Sequence, residues 1–152
     1  MSPKKGGLSE SLVINADSDT IMEALLDFES YPDWMSGVDE IEIVERDKKG
    51  RGTEVRYVVD AVMIKIRYVL KYSYKENMIE IGYIEGDLED CTASYEFEPV
   101  DDDRTEVTYY FDVSYSLPKA FRGPVVKMLL RQVDKRVMKS ALKDVKKRVE
   151  SG

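Results

Sequence analysis

The sequence predicts an α+β fold, a curved antiparallel sheet of about seven strands wrapped around one long C-terminal helix. Three observations predict it. Apolar and polar residues alternate with period two through most of the middle of the chain. Short turns separate the alternating runs, which pairs sequence neighbours antiparallel. After Pro118 the period becomes helical and stays so almost to the end. With 152 residues the chain makes one domain, long enough to bury roughly 68–70% of its unfolded surface without disulfides or a structural metal.

Leu8–Asn15 alternates (Leu8, Glu10, Leu12, Ile14) and reads as the first strand. Asp17 or Ser18 caps a short helix with Ile21, Ala24, Leu25 and Phe28 at three- and four-residue spacing. Pro32 stops that helix, because the residue before a proline is steered out of the helical region. Val38–Glu45 is a strand with Ile41 and Ile43 on one face, and residues 47–52 turn the chain on two glycines. Thr53–Val62 puts Val55, Tyr57 and Val59 on one parity. Ile64–Tyr74 puts Ile64, Ile66, Tyr68, Leu70, Tyr72 and Tyr74 opposite Lys65, Arg67 and Lys71. Met78–Glu85, a Gly86–Asp90 loop, Thr92–Glu98 and Thr105–Tyr115 complete the sheet. Tyr95 and Phe97 share one face, as do Tyr109 and Phe111.

In the last segment Leu129, Val133, Val137, Ala141, Val145 and Val149 form an i+4 stripe, expected to face the sheet. Lys127, Arg131, Lys135, Lys139, Lys143 and Lys147 form a second stripe, about 160° away. Gly123-Pro124 breaks a short lead-in from the main helix. A twisted sheet that wraps such a helix, held open by short helices, leaves an apolar pocket, and such pockets take small molecules.

Several chemistries are excluded at once. The chain has no histidine and one cysteine, Cys91, so histidine triads, multi-cysteine zinc sites and internal disulfides are impossible. The start lacks a secretory apolar run, and no stretch approaches the ~20 apolar residues of a membrane span. A soluble, cytoplasmic protein is expected, with a frayed start over residues 1–7 and a single domain over 8–150. Charge is divided: residues 1–118 hold 12 basic against 27 acidic groups, and residues 119–152 hold 11 against 3. Opposite blocks suggest faces with different partners.

The segment Asp27-Phe28-Glu29-Ser30-Tyr31-Pro32-Asp33-Trp34 resembles the D-x-E-x-Y-P-x-W/F motif of the START-like polyketide cyclase/dehydrase and lipid-transport superfamily. Its setting matches too, with Ile14-Asn15-Ala16 before it and Gly50-x-Gly52-Thr53 after it. The likeness runs from about Leu8 to Val149. It implies a helix-grip fold with a hydrophobic cavity between sheet and helix. Members of the superfamily include lipid and sterol carriers, coenzyme Q-binding proteins, aromatase/cyclases and a toxin that blocks ribosomal subunit association.

Trp34 stands where the motif places an aromatic near the cavity mouth; packing beneath the short helices would explain it equally. Tyr57, Val59, Tyr68, Leu70, Tyr95, Phe97, Tyr109 and Phe111 are expected to line the cavity from the sheet. Leu129, Val133 and Val137 are expected to line it from the helix. Tyrosines suit this, each with an apolar ring and one orienting hydroxyl; the alternative is that they fill the core. Lys127, Arg131, Lys135, Lys139 and Lys143 suit an anionic membrane surface or an acidic protein partner, or form a solvated face. Overall acidity disfavours nucleic acid. No cofactor or metal site is implied. For catalysis, Asp60, Asp112, Arg67 and tyrosine hydroxyls are scattered, and Cys91 has no histidine to activate it. The leading expectation is therefore a non-catalytic carrier or sensor of a lipid, quinone or polyketide-like ligand. A protein- or ribosome-interaction module and a polyketide cyclase/dehydrase are the alternatives.

Overall fold

The computed structural model describes residues 7–61, 64–116 and 123–151. Seven strands form one antiparallel sheet: β1 (Leu8–Ile14), β2 (Val38–Arg46), β3 (Gly52–Ala61), β4 (Ile64–Lys75), β5 (Met78–Gly86), β6 (Leu88–Asp101) and β7 (Arg104–Tyr115). Their order is β1-β7-β6-β5-β4-β3-β2, so sequence neighbours pair except where β1 closes onto β7. Two short helices, α1 (Ser18–Leu26) and α2 (Tyr31–Trp34), follow β1, and α3 (Pro124–Ser151) follows β7. This is the helix-grip arrangement. The junction at residues 62–63, residues 1–6 of the start and residues 117–122 of the lead-in to α3 lie outside the described residues.

The sheet is continuous at one end and split at the other. β5 pairs with β6 only from Met78–Ile81 against Glu96–Ala93. Beyond that, β5 stays with β4 while β6 follows β7. The Tyr83 hydroxyl spans the split and donates to the Leu88 carbonyl at 2.7 Å. The expected Gly86–Asp90 loop is instead a tight turn, because β5 runs to Gly86 and β6 begins at Leu88. Gly86 makes the turn possible. Its φ is +135°, and a Cβ there would sit 2.4 Å from the Arg67 carbonyl oxygen. Asp87 locks the corner: its N–H donates to the Arg67 carbonyl at 2.7 Å and its carboxylate accepts from the Arg67 N–H at 2.8 Å.

Asp17 caps α1 by accepting from the Thr20 N–H at 2.8 Å. α1 ends at Leu26, before the proline, and a 3-10 turn (Phe28–Ser30) leads into α2. Pro32 does not end α1, contrary to expectation: Tyr31, just before the proline, is itself helical (φ −50°, ψ −41°), and Pro32 sits in the first turn of α2, where its missing N–H costs no helical bond. Tyr31 is buried, and its hydroxyl donates back to the Leu25 carbonyl, tying α2 to α1.

The core lies between the inner sheet face and the helices. Phe28, Val55, Tyr57, Tyr72, Ile79, Tyr95, Val107 and Tyr109 meet Met138, Leu142 and Val145 there. The helix seam differs from the expected stripe. Asp134, Met138, Ala141, Leu142 and Val145 are buried, whereas Leu129, Val133 and Val137 are 57%, 39% and 46% exposed. Of the expected stripe, Ala141 and Val145 face the core, whereas Leu129, Val133 and Val137 do not. The reason is rotational. Val126, Leu130, Asp134, Met138 and Leu142 make a parallel i+4 row that turns toward the sheet, half-buried at Val126 and Leu130 and buried from Asp134 onward.

Candidate functional site

The first turns of α3 do not seal against the sheet. A groove of about 730 Å³ separates them from the end of β7. Phe111, Val113 and Leu8 supply apolar surface from the sheet, and Met128 and Leu130 supply it from the helix. The rims carry opposite charge, with Lys127 and Arg131 on α3 facing Glu89 on β6 and Asp112 on β7.

Asp134 and Tyr115 also line the groove. Asp134 is 9% exposed, a carboxyl set in a row that is otherwise apolar where it packs. The Tyr115 hydroxyl donates to its Oδ1 at 2.6 Å. Burial pushes the Asp134 pKa up to about 6, opposed by the Tyr115 hydrogen bond and the Arg131 charge and aided by Asp112. Burial, together with the neighbouring carboxylate, holds the Tyr115 phenol well above its ordinary value. Cys91 is buried, and desolvation pushes its thiol up to about 12, with Asp90, Asp134 and Asp112 adding to the rise. A thiol so raised is no nucleophile at neutral pH.

The residues expected from the sheet all lie on its inner face, but most of them pack. Tyr57, Leu70, Tyr95, Phe97 and Tyr109 are buried, and Val59, Tyr68 and Phe111 are half-buried against the same core. The Tyr95 and Tyr109 rings stack at 4.4 Å and 8°. Tyr57 stacks on Tyr68 at 5.4 Å and shares a hydroxyl–hydroxyl hydrogen bond of 2.5 Å with Tyr72. Burial raises the pKa of Tyr57, Tyr68, Tyr72, Tyr95 and Tyr109 above the usual phenol range, so these hydroxyls stay protonated. Only Phe111 of the expected set lines the groove.

Trp34 lies toward the other end of α3. Its ring meets Tyr31 edge-on at 5.2 Å, its indole N–H donates to the Ser30 hydroxyl at 2.8 Å, and the Arg148 guanidinium sits 5.8 Å above it. The packing explanation accounts for all three contacts.

Two contacts orient the flanks of α3. Lys139 reaches Glu10 on β1 at 4.0 Å, while Asp144 accepts from the Ser36 N–H, just before β2, at 2.8 Å. At about 100° per residue, Val133 and Val137 share the Asp144 flank. They therefore face away from β1, toward the wing of the sheet that α3 leaves uncovered. Lys127, Arg131, Lys135, Lys139 and Lys143 are all exposed; the first two turn onto the groove rim.

Asp134 and Tyr115 went unread in the sequence. The signal was available: the row Leu130, Asp134, Met138, Leu142 has one carboxylate at a position that packing would fill with an apolar residue.

Comparison with known proteins follows this geometry. No curated protein matches the chain at a significant level. A START superfamily protein from Mycobacterium smegmatis is 26% identical, with TM-score 0.80 over 95% of this chain and 97% of that one. A Thermus thermophilus protein is 21% identical, with TM-score 0.84 over 95% and 97%. The Zhui aromatase/cyclase from a Streptomyces species is 16% identical, with TM-score 0.82 over 95% and 93%. Residues 6–150 match the family described as polyketide cyclase/dehydrase and lipid transport, and with the helix-grip sheet and its long closing helix in place, the chain belongs to that family.

Proposed function

We propose that this protein is a non-catalytic carrier or sensor of a small hydrophobic ligand of the lipid, quinone or polyketide-like class, held between α3 and the end of β7. The groove supports this reading: a volume of about 730 Å³ with apolar surface from Leu8, Phe111, Val113, Met128 and Leu130, charged rims, and the hydrogen-bonded Asp134–Tyr115 pair in its lining. Apolar contact would drive binding at roughly 25 cal/mol per Å² buried. The Asp134–Tyr115 pair would orient a single ligand oxygen, since a carboxyl with a pKa near 6 accepts from a hydroxyl when ionised and donates to a carbonyl when protonated.

The test is native mass spectrometry before and after solvent extraction, followed by displacement of a fluorescent fatty-acid analogue. A co-purifying apolar mass, or analogue binding lost on Leu130→Trp in a folded protein, supports the carrier. No retained mass and no analogue, quinone or polyketide-mimic binding would end this reading.

One observation favours a second reading, a polyketide cyclase/dehydrase. Asp134 has a pKa suited to proton transfer near neutral pH, and the fold matches an aromatase/cyclase. In that case poly-β-keto thioester turnover is measurable and disappears in Asp134→Asn, whereas in a carrier there is no turnover to lose and the same change alters ligand affinity.

A further inference from the structure

The outward face of α3 carries an arrangement that, Met128 apart, lies outside the groove. Val125, Met128 and Leu129 are 65%, 58% and 57% exposed. Taking Asp134 as the inward direction, they fall within an arc of about 100° on the opposite side of the helix. They form an apolar tip pointing away from the sheet. Continuing along the same arc, the residues become basic: Arg136, Lys139, Lys143 and Lys147, with Lys135 at its edge, all exposed. The change from apolar to basic takes about seven residues, or ~10 Å of helix.

We propose that this tip docks the protein on an anionic lipid bilayer, with Val125, Met128 and Leu129 entering the acyl boundary and Lys135, Arg136 and Lys139 lying among the head groups. The ~10 Å spacing fits an interfacial layer roughly 5–8 Å deep crossed by a tilted helix. Charge gives the orientation. The last 34 residues hold 11 basic and 3 acidic groups, whereas residues 1–118 hold 12 and 27, so an anionic surface attracts this face and repels the remainder. A second copy fits less well, because three side chains supply a small part of the ~1,200–2,000 Å² a stable protein interface buries. Met128 belongs both to the tip and to the groove lining, so docking places the groove mouth at the bilayer surface.

The test is co-sedimentation of the full chain with phosphatidylcholine vesicles, with and without phosphatidylglycerol, at low and physiological salt. Expected is binding to the anionic vesicles at least roughly tenfold tighter than to neutral ones and weakened by salt. Val125→Asp, and separately the pair Lys135→Glu and Arg136→Glu, should each reduce it roughly tenfold or more. Circular dichroism and binding of a soluble fluorescent fatty-acid analogue, read on the same variants, should not change; this separates failure of docking from failure of ligand binding. Wild-type protein left in the supernatant, equal binding to both vesicle types, or variants that bind as wild type would overturn the proposal. So would a wild-type dimer in ultracentrifugation that Val125→Asp dissolves.

Discussion

From Met138 onward α3 is packed as a core helix, with Met138 and Val145 at 1% and 0% exposure. From Val125 to Val137 the same helix keeps Val125, Met128, Leu129, Val133 and Val137 in the open and buries a carboxylate, Asp134, instead. Composition does not explain the difference, since the open half holds more large apolar residues (seven over 125–137) than the packed half (four over 138–151). Their neighbours do. The C-terminal half sits at the end of β1, where Lys146 donates to the Val13 carbonyl and Glu150 accepts from the Asn15 N–H, beside a core already filled by stacked tyrosines. The N-terminal half meets the sheet at its split end, where β6 has parted from β5. A helix over a split sheet has less to bury against, and a groove remains.

The largest effect that would break this comparison is a cavity in the packed half. Leu142→Ala should cost about 2–5 kcal/mol, whereas Val133→Ala should stay within about 0.5 kcal/mol, both read from urea midpoints. Equal losses would mean the two halves are packed alike.

A smaller effect tests the tyrosine core that supports the packed half. Tyr57 and Tyr72 share a buried hydroxyl pair, so Tyr57→Phe strands the Tyr72 hydroxyl and should cost ~1–3 kcal/mol. The double change to phenylalanine should recover part of that loss, and a double-mutant cycle measures how much.

The smallest effect sharpens the electrostatics of the open half. The folded pKa of Asp134, about 6, lies above the ~3.9 of an unfolded aspartate. A carboxyl raised in this way favours the fold below about pH 4, and that contribution fades as pH climbs toward 6. Asp134→Asn, which keeps an acceptor for Tyr115, should therefore be more stable than wild type above pH 6 by ~1 kcal/mol, once solvent screening is counted. The gain should vanish near pH 4. A pH-independent difference between the two melting temperatures would show that Asp134 is not held under strain in the groove.

Strand alternation, the Asp17 cap and the switch to a helical period were all legible in the residues, because each follows from backbone sterics or from a two- or 3.6-residue repeat; Pro32 was not, because a proline serves a helix's first turn as readily as it stops one. The motif from Asp27 to Trp34 carried the family. Which of two neighbouring i+4 rows would face the sheet was not legible. Leu129-Val133-Val137 and Leu130-Asp134-Met138 differ by one residue, or about 100° of rotation, and the row with more apolar residues is the one left exposed at its start. Nor could parity distinguish a tyrosine that lines a cavity from one that fills it. Local chemistry thus determined the elements, their order and the fold, since those depend on short-range repeats and turns. The tertiary structure alone decided the rotation of α3, the split between β5 and β6 and the pairing of Asp134 with Tyr115, because each depends on contacts between residues far apart in the chain.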